Sequence, residues 1–389
     1  MLATALRTVA ARLVVTCLAS GTCIVSFSSC VLLQHNTGCC KFDGNFKNAD
    51  NRLIKAETPA DPEFTFGCRR NPVFVARASG TSHHAPPVLL LHEMPGLSPD
   101  TLELAHCLAG HGYTVYVPLL FGNPGEDTDS TGLFLQRVFC LKRNPDWTDG
   151  FKVAGRPRVI NSVEDLAKRI LHRHHTNRLG VIGMCITGNM PLALAAEMPE
   201  VVAPVASQPA MPLYVISPAK RNDTGLTSSD IQLLQARTRR GLQILGFRFE
   251  YDHVCPPERF EMLRKNFGTH GFLDRTLSGS RYEQSDGLPH GAHAVLTCCY
   301  QPWLGQPNEP ATHYAYRELL AFLSAKLTHR EEQEYQDPPP LLHPKDPFFD
   351  INRGRCPKPA ARTVEQNSGR VGLEPATPSK VHSLSSRVP

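Results

Sequence analysis

Cys185 lies in a stretch whose residue types suit nucleophilic chemistry. An apolar run, residues 179–182, precedes it, Gly183 and Gly188 flank it, and an Ala- and Leu-rich segment, residues 190–198, follows. This order predicts a strand, a sharp turn and a helix, which is the context of a nucleophile elbow. The first N–H groups of such a helix face the group under attack. A cysteine considered alone is more often a small buried hydrophobic residue, so the interpretation depends on partners found downstream.

An acid and a histidine follow Cys185 in the order that such chemistry needs. Asp252 comes just after the apolar run of residues 242–249, and His290 and His293 come later. A thiolate attacks a carbonyl, an imidazole moves protons near neutral pH, and a carboxylate fixes the tautomer of the imidazole and supports its cation. The order nucleophile, acid, histidine is that of an α/β-hydrolase. Residue type alone does not decide which of the two histidines would be the base. For Asp252 the alternative is an ordinary turn residue.

Alternating strands and helices must position these residues. Residues 88–92 form a continuous apolar run typical of a strand buried on both faces, and Ser98 and Pro99 suit the cap and first turn of the next helix. The alternation predicts an α/β fold, a mostly parallel sheet with helices on both faces and an active site outside the carboxyl ends of the strands. Further strands are predicted over residues 71–78, 112–120, 201–207 and 242–249, and helices over 102–108, 163–172, 258–267 and 313–327.

Glu93 directly follows the buried strand of residues 88–92. A carboxylate at the end of such a strand is favoured as a functional group, although an acid in a surface loop is the alternative. His92, one residue earlier, should point to the opposite side of the strand, and we assign it no role.

Together these positions resemble the dienelactone hydrolases. The resemblance runs from residue 88 to about residue 327, and a strand-end glutamate combined with a cysteine at the elbow distinguishes this family from the usual serine esterases. The resemblance implies an α/β-hydrolase fold and a carboxylic ester or lactone hydrolase of the EC 3.1.1 type that works through a covalent acyl-enzyme without a cofactor. The segments that carry it are Leu91-His-Glu-Met-Pro-Gly-Leu97, Gly112-Tyr-Thr-Val-Tyr-Val-Pro118, Gly183-Met-Cys185, Asp252-His-Val-Cys-Pro-Pro-Glu-Arg-Phe260, and His293 before the last helix.

The resemblance also implies a role for each site residue. Cys185 would be the nucleophile, His293 rather than His290 the base and acid, and Asp252 the group that orients the imidazole. Glu93 would engage the proton of the thiol in the resting site and help to generate the thiolate. The backbone N–H groups of Met94 and Ile186 would form the oxyanion hole.

Three positions depart from the family pattern. Thr187 stands at the elbow where the family usually has glycine. Family members that cleave dienelactone hold its carboxylate with two arginines, where this chain has the stretch Phe121-Gly-Asn123 and Thr297. A buried carboxylate without a charged partner is costly, which argues against dienelactone as the substrate. Arg137 or Arg143, from the irregular excursion of residues 122–160, could substitute for them.

Composition limits the other classes of function. The net charge of +5 is mild and dispersed, with no basic stripe interleaved with aromatic residues, so no nucleic-acid partner is expected. The 13 cysteines are odd in number and contain no C-x-x-C pair, which indicates neither a zinc site nor a disulfide framework. The expected partner is a small-molecule ester or lactone, with no metal.

The two ends of the chain differ from its centre. Residues 1–34 contain an uncharged apolar run after two arginines and are predicted to be a signal peptide or membrane anchor. The protein would then be secreted or membrane-anchored, and otherwise cytoplasmic, with a misassigned start codon as the alternative. Residues 35–70 are predicted to be a linker, 71–330 the hydrolase domain, and 331–389 a proline-rich disordered tail.

Two functions from different classes follow from these residues. The first is a hydrolase of an ester, lactone or similar activated carbonyl that uses a Cys-His-Asp triad. The second is a hydrolase-fold binding or membrane-associated protein that keeps the pocket without turnover. The four catalytic residue types favour the first, and the missing arginines leave room for the second.

Overall fold

A computed structural model describes most of the central part of the chain. His290, the segments 1–34 and 331–389, and most of 35–70 lie outside the described residues, so the domain limits given above stay predictions. In the described part, no helix is long and apolar enough to cross a membrane. The described residues are 55–56, 65–66, 71–78, 85–125, 131–213, 217–277, 292–300 and 309–328.

Nine strands of the described residues form one sheet, and its centre is parallel. Six of them run parallel in the spatial order β5-β4-β6-β7-β8-β9, while β3 pairs antiparallel with β5 and carries the two short strands β1 and β2. The strands are β1 (Lys55–Ala56), β2 (Thr65–Phe66), β3 (Asn71–Ala76), β4 (Pro87–Leu91), β5 (Thr114–Pro118), β6 (Leu179–Met184), β7 (Val201–Ser207), β8 (Ile244–Phe249) and β9 (Phe272–Leu277).

The described residues also form eight α-helices, seven of them between strands and the last one after β9. The first begins as predicted, because the Ser98 side chain accepts a hydrogen bond from the Thr101 N–H and Pro99 opens the first turn. The helices are α1 (Pro99–Gly110), α2 (Thr131–Arg143), α3 (Val159–His174), α4 (Met190–Glu197), α5 (Pro218–Arg221), α6 (Ser228–Thr238), α7 (Pro257–Gly271) and α8 (Ala311–Leu327).

Two hydrophobic cores cover the two faces of the sheet. Along β4, Val88 and Leu90 belong to one core, with side chains of α1 and α8, whereas Leu89 and Leu91 belong to the other, with α3 and α4. Alternate residues of a strand point to opposite faces, so a strand that is apolar at every position can serve both cores. This arrangement confirms the predicted sheet with helices on both faces.

Two sequence expectations need amendment. The sequence analysis predicted no strand over β9, whose middle residues are Asp274, Arg275 and Thr276 rather than the apolar run of a central strand; its position at the edge of the sheet explains this composition. The sequence indicates no disulfide framework, whereas Cys107 and Cys140 each take part in a disulfide bond. Cysteine spacing alone does not reveal such bonds.

Candidate active site at the carboxyl edge of the sheet

Cys185 occupies a strained turn between β6 and α4. Its φ angle is +53°, a left-handed conformation that non-glycine residues rarely adopt, and its side chain is buried. A Cβ at Gly183 would collide with the carbonyl oxygen of Thr187 and the ring of Pro191, and a Cβ at Gly188 would collide with Pro209. The two glycines therefore allow the close approach that the predicted elbow requires.

Thr187, the departure from the family pattern, fastens the elbow to the neighbouring strand. Its buried hydroxyl accepts a hydrogen bond from the Met184 N–H at 3.0 Å. The carbonyl oxygens of Leu91, His92 and Met184 lie 3.0, 3.3 and 3.0 Å from the same hydroxyl and share its single proton. A glycine could make none of these contacts, so Thr187 adds a link between the elbow and the end of β4.

Asp252 and His293 are in direct contact. His293 Nδ1 lies 2.7 Å from Asp252 Oδ2, and Asp252 Oδ1 accepts hydrogen bonds from the N–H groups of Val254 and Cys255 at 2.8 and 2.9 Å. A carboxylate only accepts, so Nδ1 of the imidazole carries the proton. His293 Nε2 is buried and makes no hydrogen bond to the residues that the structure describes. The Nδ1 side of the imidazole is therefore held by Asp252, and Nε2 remains available to a reacting group.

The surroundings of His293 favour its cation. Burial by itself would lower the pKa of the imidazole, but the charges of Asp252 and of a Cys185 thiolate act in the opposite direction and prevail, so that its pKa is raised well above the ordinary value. Cys185 and His293 thus lie close enough for the charge of one to act on the other. Nearby Cys255 differs, because burial raises the pKa of its thiol to about 12.

Glu93 is buried beside these groups and is held by neutral donors. The Thr297 hydroxyl donates to Oε1, and the Gln208 amide donates to Oε2 at 3.3 Å. Burial raises the pKa of this carboxyl above its ordinary value, and the two donors and the charge of His293 offset only part of that effect. The hydrogen bonds to Glu93 therefore come from Thr297 and Gln208, whereas the charge of Cys185 acts on His293.

Gln208 is a site residue that the sequence analysis did not identify. It follows β7 directly, is buried, and has a φ angle of +34°. Its Oε1 accepts from the Ser207 hydroxyl and lies 3.4 Å from the Val295 N–H, while its amide reaches Glu93. The sequence signal that could have identified Gln208 is the one used for Glu93, namely a polar residue immediately after a buried strand.

Two backbone N–H groups at this edge, those of Met94 and Ile186, have no hydrogen-bond acceptor among the described residues. Both residues are buried, and a buried N–H group without a partner is rare in folded proteins. They are the two groups that the family resemblance assigns to the oxyanion hole.

The two arginines named as substitutes for the missing pair differ in position. Arg143 is exposed, with its guanidinium 3.4 Å from the centroid of the Phe139 ring. Arg137 is buried on α2, and its charge acts on His92. Thr297, at one of the family's arginine positions, contacts Glu93. Among the described residues, no three His, Cys, Asp or Glu side chains group together as metal ligands would.

Three solved structures are among those to which this chain is similar. A candidate dienelactone hydrolase from Klebsiella pneumoniae is 20% identical, with a TM-score of 0.45, and the match covers 65% of this chain and 92% of that one. A dienelactone hydrolase-like promiscuous phosphotriesterase from metagenomic libraries is 15% identical, with a TM-score of 0.41 and coverage of 71% and 98%. Est1E from Butyrivibrio proteoclasticus is 13% identical, with a TM-score of 0.35 and coverage of 55% and 87%.

No match is found among curated proteins. The family model described as the dienelactone hydrolase family matches residues 73–272, which are slightly more than half of the 389 residues. This chain therefore belongs to the dienelactone hydrolase family, and it is a hydrolase of the α/β-hydrolase fold.

Proposed function

We propose that the protein hydrolyses an ester, lactone or similarly activated carbonyl through a covalent acyl-enzyme on Cys185. The observation that carries the proposal is His293, which binds Asp252 through Nδ1 and leaves a buried Nε2 without a hydrogen bond to any described residue. A base held in this way by a carboxylate is the arrangement that activates a nucleophile. Cys185, at the strained elbow, is the nucleophile whose charge acts on this imidazole.

The first half of the reaction forms the acyl-enzyme. The raised pKa of His293 favours an imidazolium at neutral pH. The reacting form of a cysteine is its thiolate. The thiolate attacks the carbonyl carbon, and the N–H groups of Met94 and Ile186 stabilise the negative oxygen that forms. The C–O bond to the leaving group then breaks, and His293 Nε2–H protonates the departing oxygen.

The second half releases the acid. His293, now neutral, accepts a proton from a water molecule as that water attacks the thioester carbonyl. The C–S bond breaks, the carboxylic acid leaves, and Cys185 returns as the thiolate beside a protonated His293. Asp252 holds Nδ1 through both halves and supports the cation each time it forms.

The charges of the site favour a substrate with an uncharged acyl group. The family's two carboxylate-binding arginine positions carry no arginine, and one of them, Thr297, already donates to Glu93. A carboxylate brought next to buried Glu93 would meet a second acid and no matched cation, which is costly.

A panel of substrates tests this function. We expect hydrolysis of p-nitrophenyl acetate and of neutral lactones by the wild type, none by Cys185→Ala, and far slower turnover by Cys185→Ser, whose hydroxyl is a weaker nucleophile at neutral pH. Of two matched esters that differ only in a carboxylate on the acyl chain, the uncharged ester should be hydrolysed faster. A folded wild type as inert as the alanine variant would contradict turnover and favour a binding protein of hydrolase fold.

The targeting role of residues 1–34 is a further proposal that comes from the sequence alone. An apolar run after Arg7 and Arg12 supports a cleaved signal or an anchor. A C-terminally tagged chain should then appear in the membrane or secreted fraction. A full-length product found wholly in the soluble fraction of the cell would contradict it.

A further inference from the structure

His92 is buried completely at the end of β4, one residue before Glu93. Its ring lies edge-on to Phe121, with centroids 4.5 Å apart, and it does not contact Cys185 through any hydrogen bond of the described structure. A buried imidazole that takes no part in proton transfer needs another explanation. The hydrogen bonds of its two ring nitrogens provide that explanation.

The hydrogen bonds of His92 fix its tautomer. The Leu120 N–H donates to Nε2 at 3.0 Å, so Nε2 must be the acceptor. The proton of the neutral ring then resides on Nδ1, which lies 3.1 Å from the carbonyl oxygen of Glu93 and donates to it. Burial lowers the pKa of His92 to about 4, so the ring stays neutral at physiological pH and keeps this tautomer.

The bond from Nδ1 sets the plane of the peptide that joins Glu93 to Met94. In a trans peptide the C=O and N–H bonds point in opposite directions. This peptide is trans, because the only cis bonds of the described chain precede Pro95 and Pro212. With the Glu93 carbonyl turned toward His92, the Met94 N–H must point away from His92. That N–H makes no hydrogen bond to any residue that the structure describes.

Thr187 holds the same segment from the other side. Its hydroxyl lies 3.0 Å from the carbonyl of Leu91 and 3.3 Å from that of His92, and it belongs to the turn that carries Cys185. The two residues before Glu93 are therefore tied to the elbow, while the carbonyl of Glu93 is tied to the His92 ring. Little rotation of the Met94 N–H remains.

We infer that His92 is a positioning residue for the oxyanion hole: its Nδ1–H holds the Glu93 carbonyl so that the Met94 N–H faces the acyl oxygen. The inference rests on the proposed function. It adds a residue that touches neither the substrate nor the nucleophile. A donor that is oriented before the reaction stabilises the developing negative charge without reorganisation.

Three variants test whether His92 positions the oxyanion hole or supports the structure of the whole site. His92→Phe fills the same space without either bond, His92→Asn keeps a donor near the Nδ1 position, and His92→Gln keeps an acceptor near the Nε2 position. Two rate constants are measured for each: acylation of Cys185 by p-nitrophenyl acetate, which needs the oxyanion hole, and alkylation of Cys185 by iodoacetamide, which does not. The ratio of acylation to alkylation reports the oxyanion hole alone.

We expect the ratio to fall about 100-fold in His92→Phe, the size found for loss of one such donor. It should fall less in His92→Asn than in His92→Gln. If His92→Phe does not fold, the asparagine and glutamine variants decide the question. An unchanged ratio, or alkylation that falls in parallel with acylation, would overturn the inference.

A second readout does not depend on activity. Nitrogen-15 NMR of the imidazole should show a proton on Nδ1 and none on Nε2 of His92 from pH 6 to 9. A proton on Nε2 overturns the inference even in an active enzyme. If wild-type Cys185 is alkylated but never acylated, the proposed function fails, while the tautomer still decides whether His92 holds the Glu93 carbonyl.

Discussion

Asp252 and Glu93 are two buried carboxylates at the same edge of one sheet, and the chain holds them in different ways. Asp252 receives two backbone N–H groups on one oxygen and the His293 ring on the other. Within the described part of the chain, Glu93 receives hydrogen bonds from the side chains of Thr297 and Gln208 alone. The first arrangement compensates a negative charge with backbone dipoles and a cation, while the second leaves burial as the largest influence and raises the pKa of Glu93.

We propose that the two acids have different tasks. Asp252, which contacts the His293 ring, would support the imidazolium. An acid whose neutral form is favoured suits a place beside an uncharged substrate, where a second negative charge would oppose the developing oxyanion. Replacing each acid by its amide tests this division most simply.

Asp252→Asn should have the largest effect of these changes. The amide oxygen would take the two backbone N–H groups, and the amide nitrogen would then face His293 Nδ1 as a donor. The ring would have to carry its proton on Nε2 and could no longer accept one from Cys185. We expect kcat/KM for p-nitrophenyl acetate to fall by about 10⁴-fold, as for the same change in other triads. Activity within tenfold of the wild type would show that Asp252 does not fix the tautomer of His293 for the reaction.

Glu93→Gln should show its effect mainly in how stability depends on pH. The folded state raises the pKa of Glu93, so folding favours the protonated form and the wild type loses stability as pH rises above the usual value of 4.5 toward the raised one. The glutamine variant lacks this loss. We expect the thermal midpoint of the wild type to fall relative to that of the variant between pH 5 and pH 8.

A control for this measurement lies on the surface of α7. Glu261 is exposed, so Glu261→Gln removes a carboxylate without changing a buried group. Its midpoint should follow the wild type across the same pH range. A wild type that gains stability over Glu93→Gln as pH rises would show that Glu93 is held as a charged group like Asp252.

Thr297→Val should have the smallest effect of the three. It removes one of the two donors to Glu93 and leaves a buried acceptor short of a partner, which costs about 1–3 kcal/mol of folding free energy. Thr297→Ser keeps the hydroxyl and should remain close to the wild type in chemical denaturation. Equal stability of the valine and serine variants would mean that this hydrogen bond contributes nothing to holding Glu93.

The sequence predicts the strand ends and the candidate reacting residues better than it predicts the contacts that hold them, which we call the supports of the site. Strand ends, the glycines of the elbow and the order of nucleophile, acid and histidine are local patterns, and they located Cys185, Asp252 and His293 near one edge. His293 and Asp252, which are 41 positions apart in the chain, are in contact. The catalytic roles themselves stay proposals.

The supports are long-range contacts that no local pattern encodes. Thr187 was noted only as a departure from glycine, and Thr297 only as a missing arginine, yet they bond to Leu91 and Glu93, which lie 96 and 204 positions away in the chain. Arg259 is a similar case, because its buried guanidinium donates to the carbonyl oxygens of Pro209, Pro212, Lys220 and Asp223. Such partners are fixed only when the sheet brings distant loops together.

The central claim is that Cys185 forms a covalent acyl-enzyme. The most direct measurement mixes the protein with p-nitrophenyl acetate, quenches the reaction in acid within the first turnover, and reads the intact mass and the modified peptide. We expect one acetyl group on Cys185 in the wild type and none in Cys185→Ala, while Cys255, whose thiol pKa is raised to about 12, stays unmodified. An acetyl group on another residue in both proteins, or hydrolysis that persists in the alanine variant, would contradict the account.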